Sequence, residues 1–175
     1  LYGNNSLSIK HGLKQEEYTL WKKDLLGELC PTKVQYPKER VRIRTIVHPE
    51  ITKLAKQIII NGRKSPSYSI FRDLNQLGFA IWYMDDGNLS FDHGKTPNIR
   101  FATCAFTLPE INELRTLFEE KVNIKTVLCQ WKNPRNPNVP YLGIKLNKNE
   151  TIKFIKWILD NVDVPPSMMY KFKLD

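Results

Sequence analysis

Polar and apolar residues alternate in several short stretches of this chain, and helical spacing takes over between them. Ser6-Leu7-Ser8-Ile9-Lys10-His11 reads as a half-buried strand, with Leu7 and Ile9 inward and Ser6, Ser8 and Lys10 outward. A helix follows with Tyr18, Trp21 and Leu25 on one face, then short strands over residues 33–36 and 40–46, then a helix over 51–58. The same order of elements returns near Asn98. Residues 98–103 alternate, with Asn98 and Arg100 outward and Ile99 and Phe101 inward. A helix opened by Thr107-Leu108-Pro109-Glu110 carries Ile111, Leu114 and Phe118. Strands over 125–131 and 141–146 come next, and then a helix over 151–158. Thr107 and Glu110 have capping-box spacing and Pro109 suits a first turn. The closing helices align as 51–58 with 151–158, each with Glu just before it (Glu50, Glu150). Five elements in the same order predict an α+β chain of two similar halves, with antiparallel sheets.

Between the copies lies Leu77-Gly78-Phe79-Ala80-Ile81-Trp82-Tyr83-Met84-Asp85-Asp86-Gly87, an apolar helix that ends in two carboxylates and a glycine. Gly87 reads as a helix stop. The carboxylates fall at the negative end of the helix dipole, where a bound cation would offset the cost. An ordinary core helix followed by an Asp-Gly turn gives the same local pattern.

Charge sharpens the picture. The chain has 175 residues and a net charge of +9, a surplus suited to a polyanion. The cations sit where a sheet would display them. Arg40, Arg42 and Arg44 alternate with Val41, Ile43 and Thr45. Lys145 shares a face with Tyr141, away from Leu142, Ile144 and Leu146. With Lys10 and Arg100 they form basic sheet fronts of the kind that can enter a DNA groove, although any solvated sheet face is polar. Lys132 and Arg135, in the loop 132–138, could reach phosphates or bases, and a long hairpin tip gives the same pattern. Cys30, Cys104 and Cys129 have no zinc spacing with His11, His48 or His93, and read as reduced, mostly buried residues in a reducing compartment. His93 reads as a loop residue. No apolar run reaches the roughly 18–20 residues that span a bilayer, so no membrane partner is expected. The abundance of Lys, Asn and Ile suits an AT-rich organellar genome, mitochondrial or chloroplast; otherwise an intracellular location is expected.

Two motifs then carry a resemblance. Ala80–Gly87 resembles the A-x-W-[FY]-M-D-D-G form of the motif that names the LAGLIDADG homing endonucleases, and Pro165-Pro166-Ser167-Met168-Met169-Tyr170-Lys171 resembles the closing P-x-M-M-Y-K of the same branch. The resemblance implies two pseudo-symmetric αββαββα halves, residues 1–75 and 76–175, whose sheets form a DNA-binding saddle, with motif helices packed at the pseudo-dyad in a monomer. It implies that Asp86 binds Mg²⁺ (or Mn²⁺) at a scissile phosphate, that Asp85 orients or caps, and that Lys171 is a catalytic basic residue near the active site, polarising the water network or stabilising phosphate charge. Either Arg63 or Lys64 is the first-half counterpart of Lys171. The activity implied is site-specific, metal-dependent hydrolysis of double-stranded DNA in intron homing. The alternatives are an intron-RNA maturase and a nucleic-acid-binding or ribonucleoprotein derivative that has lost cleavage. Asp86 lies 25 residues before Ile111, whose counterpart is Tyr18. The first motif's aspartate is therefore expected before Leu1, so the first motif helix is missing from the chain as given, which reads as a fragment or a relic. Aligning Gly3-Asn4-Asn5 with the motif end would instead put Asn4 in the aspartate's place.

Overall fold

A computed structural model describes residues 5–60, 62–64, 71–104, 106–134 and 136–174; the side chains of Arg63 and Lys64 fall outside that description. The chain forms two compact units. One comprises residues 1–62 with 165–170, the other residues 63–164 with 171–175. No described helix is long and apolar enough to cross a membrane.

The second unit has the full expected element order: α3 (Gln76–Asp86), β5 (Gly87–Asp92), β6 (Thr96–Ala102), α4 (Leu108–Val122), β7 (Val127–Trp131), β8 (Tyr141–Leu146) and α5 (Lys148–Leu159). Its strands make one antiparallel sheet in the order β5-β6-β8-β7. Two of its helices start where side-chain chemistry satisfies main-chain amides. The Asn75 side chain accepts from the Gly78 N–H at 3.0 Å, opening α3. Glu110 reaches back to the Thr107 N–H at 2.6 Å, completing the predicted capping box of α4. Asn123 closes α4 in the left-handed region at φ 53°. The turn between β5 and β6 has positive φ at His93 and Gly94, which places His93 in a turn as expected.

The core lies between the helices and one face of the sheet. Ile111, Leu114 and Phe118 of α4, Phe154 and Ile158 of α5, and Phe79 and Tyr83 of α3 are all buried against Ile99, Phe101, Ile144 and Leu146. Aromatic rings fill its centre, with Phe101 5.3 Å from Phe118 and 4.7 Å from Trp82, and Tyr83 5.5 Å from Phe154. Edge-on and tilted contacts of this kind add to the area buried. One buried polar residue ties helix to sheet. Thr151 donates to the Leu146 carbonyl at 3.0 Å and accepts from the Ile99 N–H at 3.1 Å. Thr151→Val would orphan both main-chain groups in the core. It is expected to cost about 2–4 kcal/mol in urea unfolding; a loss below about 0.5 kcal/mol would mean that the two groups find other partners.

The first unit is sparser. It holds β1 (Ser8–Gly12), a 3₁₀ turn (Leu13–Gln15), α1 (Glu16–Leu26), a second 3₁₀ turn (Gly27–Leu29), β2 (Arg40–Arg44) and α2 (Pro49–Ile58). The two-residue strands β3 (Ile59–Ile60) and β4 (Arg63–Lys64) follow it in the chain. β1 and β2 pair antiparallel, Ser8 opposite Arg44 and Lys10 opposite Arg42.

Several expectations change here. The strand predicted over 33–36 is a single bridge, Gln35 with Arg42. Pro31 and Pro37 flank it, and proline cannot donate to a ladder. Helix α1 buries Tyr18, Thr19 and Lys22, while Leu25 is exposed. Leu7, expected inside, is also exposed; among the described residues no helix of this unit corresponds to α3. The alignment of 51–58 with 151–158 slips by one. The N-caps are His48 and Asn147, so Thr52 matches Thr151. Both threonines receive a main-chain N–H, Thr52 from Asn5 at 3.1 Å and Thr151 from Ile99. Of the cysteines only Cys30 is buried; Cys104 is exposed and Cys129 half-buried. Burial pushes the Cys129 thiol up, away from the thiolate a nucleophile needs.

Candidate nucleic-acid and metal site

Helix α3 ends at Asp86, and β5 begins at the next residue. The turn from helix to strand is tight because residue 87 has no side chain. The helix stops at Gly87 as expected, and Gly87 is buried with φ −81° and ψ 150°, extended backbone rather than the left-handed region. A Cβ built on it would stand 2.1 Å from Tyr83 Cδ2 and 2.6 Å from the Tyr83 carbonyl oxygen. Glycine here permits close approach. Asp85 and Asp86 are both exposed at this corner. Asp86 stands two residues before Asn88, which pairs directly with Arg100.

The carboxylates sit at the helix end where the dipole is unfavourable to them. Lys171 meets that end. Its ammonium donates to the main-chain carbonyls of Met84 at 2.6 Å and Gly87 at 2.8 Å, with the Tyr83 carbonyl at 3.4 Å. The Tyr83 hydroxyl in turn donates to the Lys171 carbonyl. Lys171 closes the 3₁₀ helix Pro166–Lys171 and is the last residue of the second sequence motif.

The basic residues line up as the alternation predicts. In the second unit Arg100 and Lys145 are directly paired across β6 and β8. Sequence reasoning missed the acid between them. Asp92 accepts from Lys145 at 3.0 Å and lies 3.9 Å from Arg100. The Lys145 hydrogen bond, aided by the charges of Lys145 and Arg100, holds the Asp92 carboxyl below its ordinary value. Asp92 therefore keeps its charge until the pH falls below the usual carboxylate range. The pairing is present above the unfolded-state value and is lost as pH falls through the lower folded one. Asp92→Asn would release both cations toward phosphate. Non-specific duplex affinity at low salt is expected to rise roughly threefold to tenfold, read by fluorescence anisotropy; unchanged affinity would show that Asp92 does not restrain them.

Asn98 does not join this front. It is buried, its amide exchanging hydrogen bonds with Ser90 at 2.9 and 3.2 Å. In the first unit, Arg40 and Arg44 are exposed and Arg42 half-buried, while Val41, Ile43 and Thr45 are buried. Lys10, opposite Arg42, is exposed. Arg42 donates to the Gln35 side chain and Arg44 to the Ser6 hydroxyl at 3.0 Å, which orients two of the arginines. Lys132 is exposed in its loop. Arg135 and the side chains of Arg63 and Lys64 lie outside the described residues.

Comparison with known proteins agrees with this architecture. The LAGLIDADG DNA endonuclease family matches residues 2–154. Cytochrome b mRNA maturase bI2 of Debaryomyces hansenii is 30% identical over 138 residues, 72% of this chain and 50% of that protein. Protein RecA of Mycobacterium shimoidei is 35% identical over 83 residues, 47% of this chain and 20% of that protein. The chain thus spans half the length of the first relative and a fifth of the second. Among solved structures, the homing endonuclease I-WcaI bound to its DNA recognition sequence superposes with a TM-score of 0.79 at 17% identity, over 97% of this chain and 76% of that one. I-DmoI in complex with DNA and Ca gives 0.55 at 12% identity, over 94% and 81%. At these identities the two structures speak to fold alone. The family match extends across nearly the whole chain, and the second unit has the complete αββαββα order with Lys171 seated at the end of its motif helix: the chain belongs to the LAGLIDADG DNA endonuclease family.

Proposed function

We propose that this protein is a site-specific double-stranded DNA endonuclease of the intron-homing kind, a monomer built from LAGLIDADG halves at residues 1–75 and 76–175, acting by metal-assisted phosphodiester hydrolysis. The observation that carries this reading is the position of Asp86. It is an exposed carboxylate at the end of a half-buried helix, two residues from the strand position that pairs with Arg100. The donor chemistry fits Mg²⁺ or Mn²⁺. Among the described residues no group of three or more His, Cys, Asp or Glu could enclose a metal. A hard cation of this kind is commonly held by one or two carboxylates together with phosphate oxygens and water. Asp86 would hold it, with Asp85 beside it in the chain. When bound, the metal supplies Lewis-acid polarisation of the phosphoryl oxygen and a lowered pKa for a bound water.

The chain's own residues bind and orient the substrate. Lys10, Arg40, Arg42 and Arg44 on one sheet, and Arg100 and Lys145 on the other, supply phosphate and base-edge contacts. Lys132 and Arg135 extend that set from the loop. Arg63 or Lys64 supplies the first-half basic group beside the reacting phosphate. The relation to an mRNA maturase favours intron RNA as the second reading for the same basic surfaces, and an organelle, mitochondrion or chloroplast, as the setting.

Incubating the protein with a randomised plasmid library in Mg²⁺ separates the two readings. Recovery of cut ends at a common sequence, abolished by EDTA, is the expected result. No cutting, with selective retention of structured intron RNA over duplex DNA, would overturn the endonuclease in favour of the maturase.

A further inference from the structure

The resemblance places Lys171 beside a reacting phosphate, yet its ammonium points into the protein's own backbone. It sits on the carbonyls of Met84 and Gly87, with Tyr83 behind, at the turn that carries Asp86. The Met84 carbonyl lies in the last turn of α3, where carbonyls lack an intrahelical partner and carry the negative pole of the helix, while the Tyr83 carbonyl also accepts the Gly87 N–H and the Gly87 carbonyl opens β5. An ammonium with three donors suits a cluster of such oxygens. The contact is reciprocal, because the Tyr83 hydroxyl donates to the Lys171 carbonyl. Tyr83 is fully buried, its ring 5.1 Å from Phe172 and 5.5 Å from Phe154, so the aromatic core fixes the lock from inside. Gly87 closes the third side, since its Cα region lies against the Tyr83 ring.

We infer that Lys171 is a positioning residue. With Tyr83 it clamps the last turn of α3 and the first residue of β5, and so sets where the Asp86 carboxylate stands. Its charge also counters the helix pole that would otherwise disfavour Asp85 and Asp86 there. This rests on the endonuclease reading for its functional consequence, but the clamp itself does not.

The two roles make opposite predictions. A lysine on phosphate releases counterions when DNA binds, and losing it lowers the slope of log affinity against log salt by about 0.9. Arginine, a good phosphate ligand, would replace it there. A lysine seated among three main-chain carbonyls leaves the salt slope alone, and a planar, bulkier guanidinium does not fit its seat. The test uses the full chain and three variants: Lys171→Met, Lys171→Arg and Tyr83→Phe. Hydrogen exchange is followed by mass spectrometry on peptides covering residues 79–91, DNA affinity is titrated against salt, and single-turnover cleavage is measured over a range of Mg²⁺. The clamp predicts faster exchange in 79–91 in all three variants, an unchanged salt slope, a higher Mg²⁺ requirement and no rescue by arginine. Unchanged exchange, or a slope reduced by about 0.9 with rescue by Lys171→Arg, overturns it. Tyr83→Phe keeps the core volume and serves where Lys171→Met does not fold. If the unaltered chain cuts no DNA, the endonuclease reading fails while exchange still decides the clamp.

Discussion

Asp86→Asn is expected to lower Mg²⁺-dependent cleavage at a fixed site by at least about a thousandfold, a loss of roughly 4 kcal/mol of transition-state stabilisation. The asparagine keeps the shape of the side chain but loses the anionic oxygens that a hard cation requires. Folding should barely register the change. Asp86 is exposed, and a carboxylate at a helix C-terminus is disfavoured by the dipole, so stability should move by less than about 1 kcal/mol. DNA binding in EDTA should be equal or tighter, since a negative charge near phosphate has gone. The triad of outcomes matters: cleavage lost, fold kept and binding kept. Single-turnover assays, thermal unfolding and anisotropy titrations on one preparation give all three. An Asp86→Asn protein that still cuts at the unaltered rate would remove the carboxylate from the chemistry.

The parts of the fold that could be read from sequence are those where local signals agree. Helix α4 has a capping box, a first-turn proline and apolar residues at helical spacing, and all three appear in the structure. Strand β2 alternates arginine with apolar residues and buries the apolar set as expected. What escaped was set by contacts distant in the chain. Lys22 lies on the buried side of α1 because its stem packs there while its ammonium lies over the Tyr18 ring at 4.2 Å and 3.2 Å from His11 Nε2. No helical periodicity shows that. Leu25 lies on the helix as the spacing assigned it and is still exposed.

The candidate site divides in the same way. Asp86 could be picked out because a motif carries it, and the basic front because alternation does. Asp92 could not: an acid after Phe91 in a stretch following Gly87 reads as a turn residue, and only the sheet register sets it against Lys145 and Arg100. Strand β5 itself was implied by family resemblance while the residue pattern suggested an Asp-Gly turn. The partners of Lys171 are some 85 residues away in the chain, so its motif could mark it without showing what it touches.

Gly87→Ala tests that last distinction with the largest expected cost to the fold. Were Gly87 a left-handed helix stop, alanine would cost about 1–2 kcal/mol for the backbone conformation alone. The structure gives it φ −81°, which alanine adopts freely, so the whole effect must come from space. That space is filled by Tyr83, both ring and carbonyl, with the ideal Cβ at 2.1 Å and 2.6 Å from them. The ring cannot swing away. It is fully buried, packed on Phe101, Phe154 and Phe172, and its hydroxyl is bonded to Lys171. The carbonyl belongs to the last turn of α3, so relieving it means moving the helix end. A loss of about 3 kcal/mol or more is expected, at the upper end of overpacking costs. Gly94 supplies the internal control. It has φ 70° with nothing within 4 Å of an added Cβ, so Gly94→Ala pays only the backbone term of about 1–2 kcal/mol. Urea unfolding of the two variants side by side should place Gly87→Ala well below Gly94→Ala in stability. It should also lower cleavage at temperatures where the protein stays folded, because the displaced turn carries Asp86. Equal costs at the two glycines would mean that residue 87 is only a chain reversal, and that nothing built around Tyr83 fixes the carboxylate.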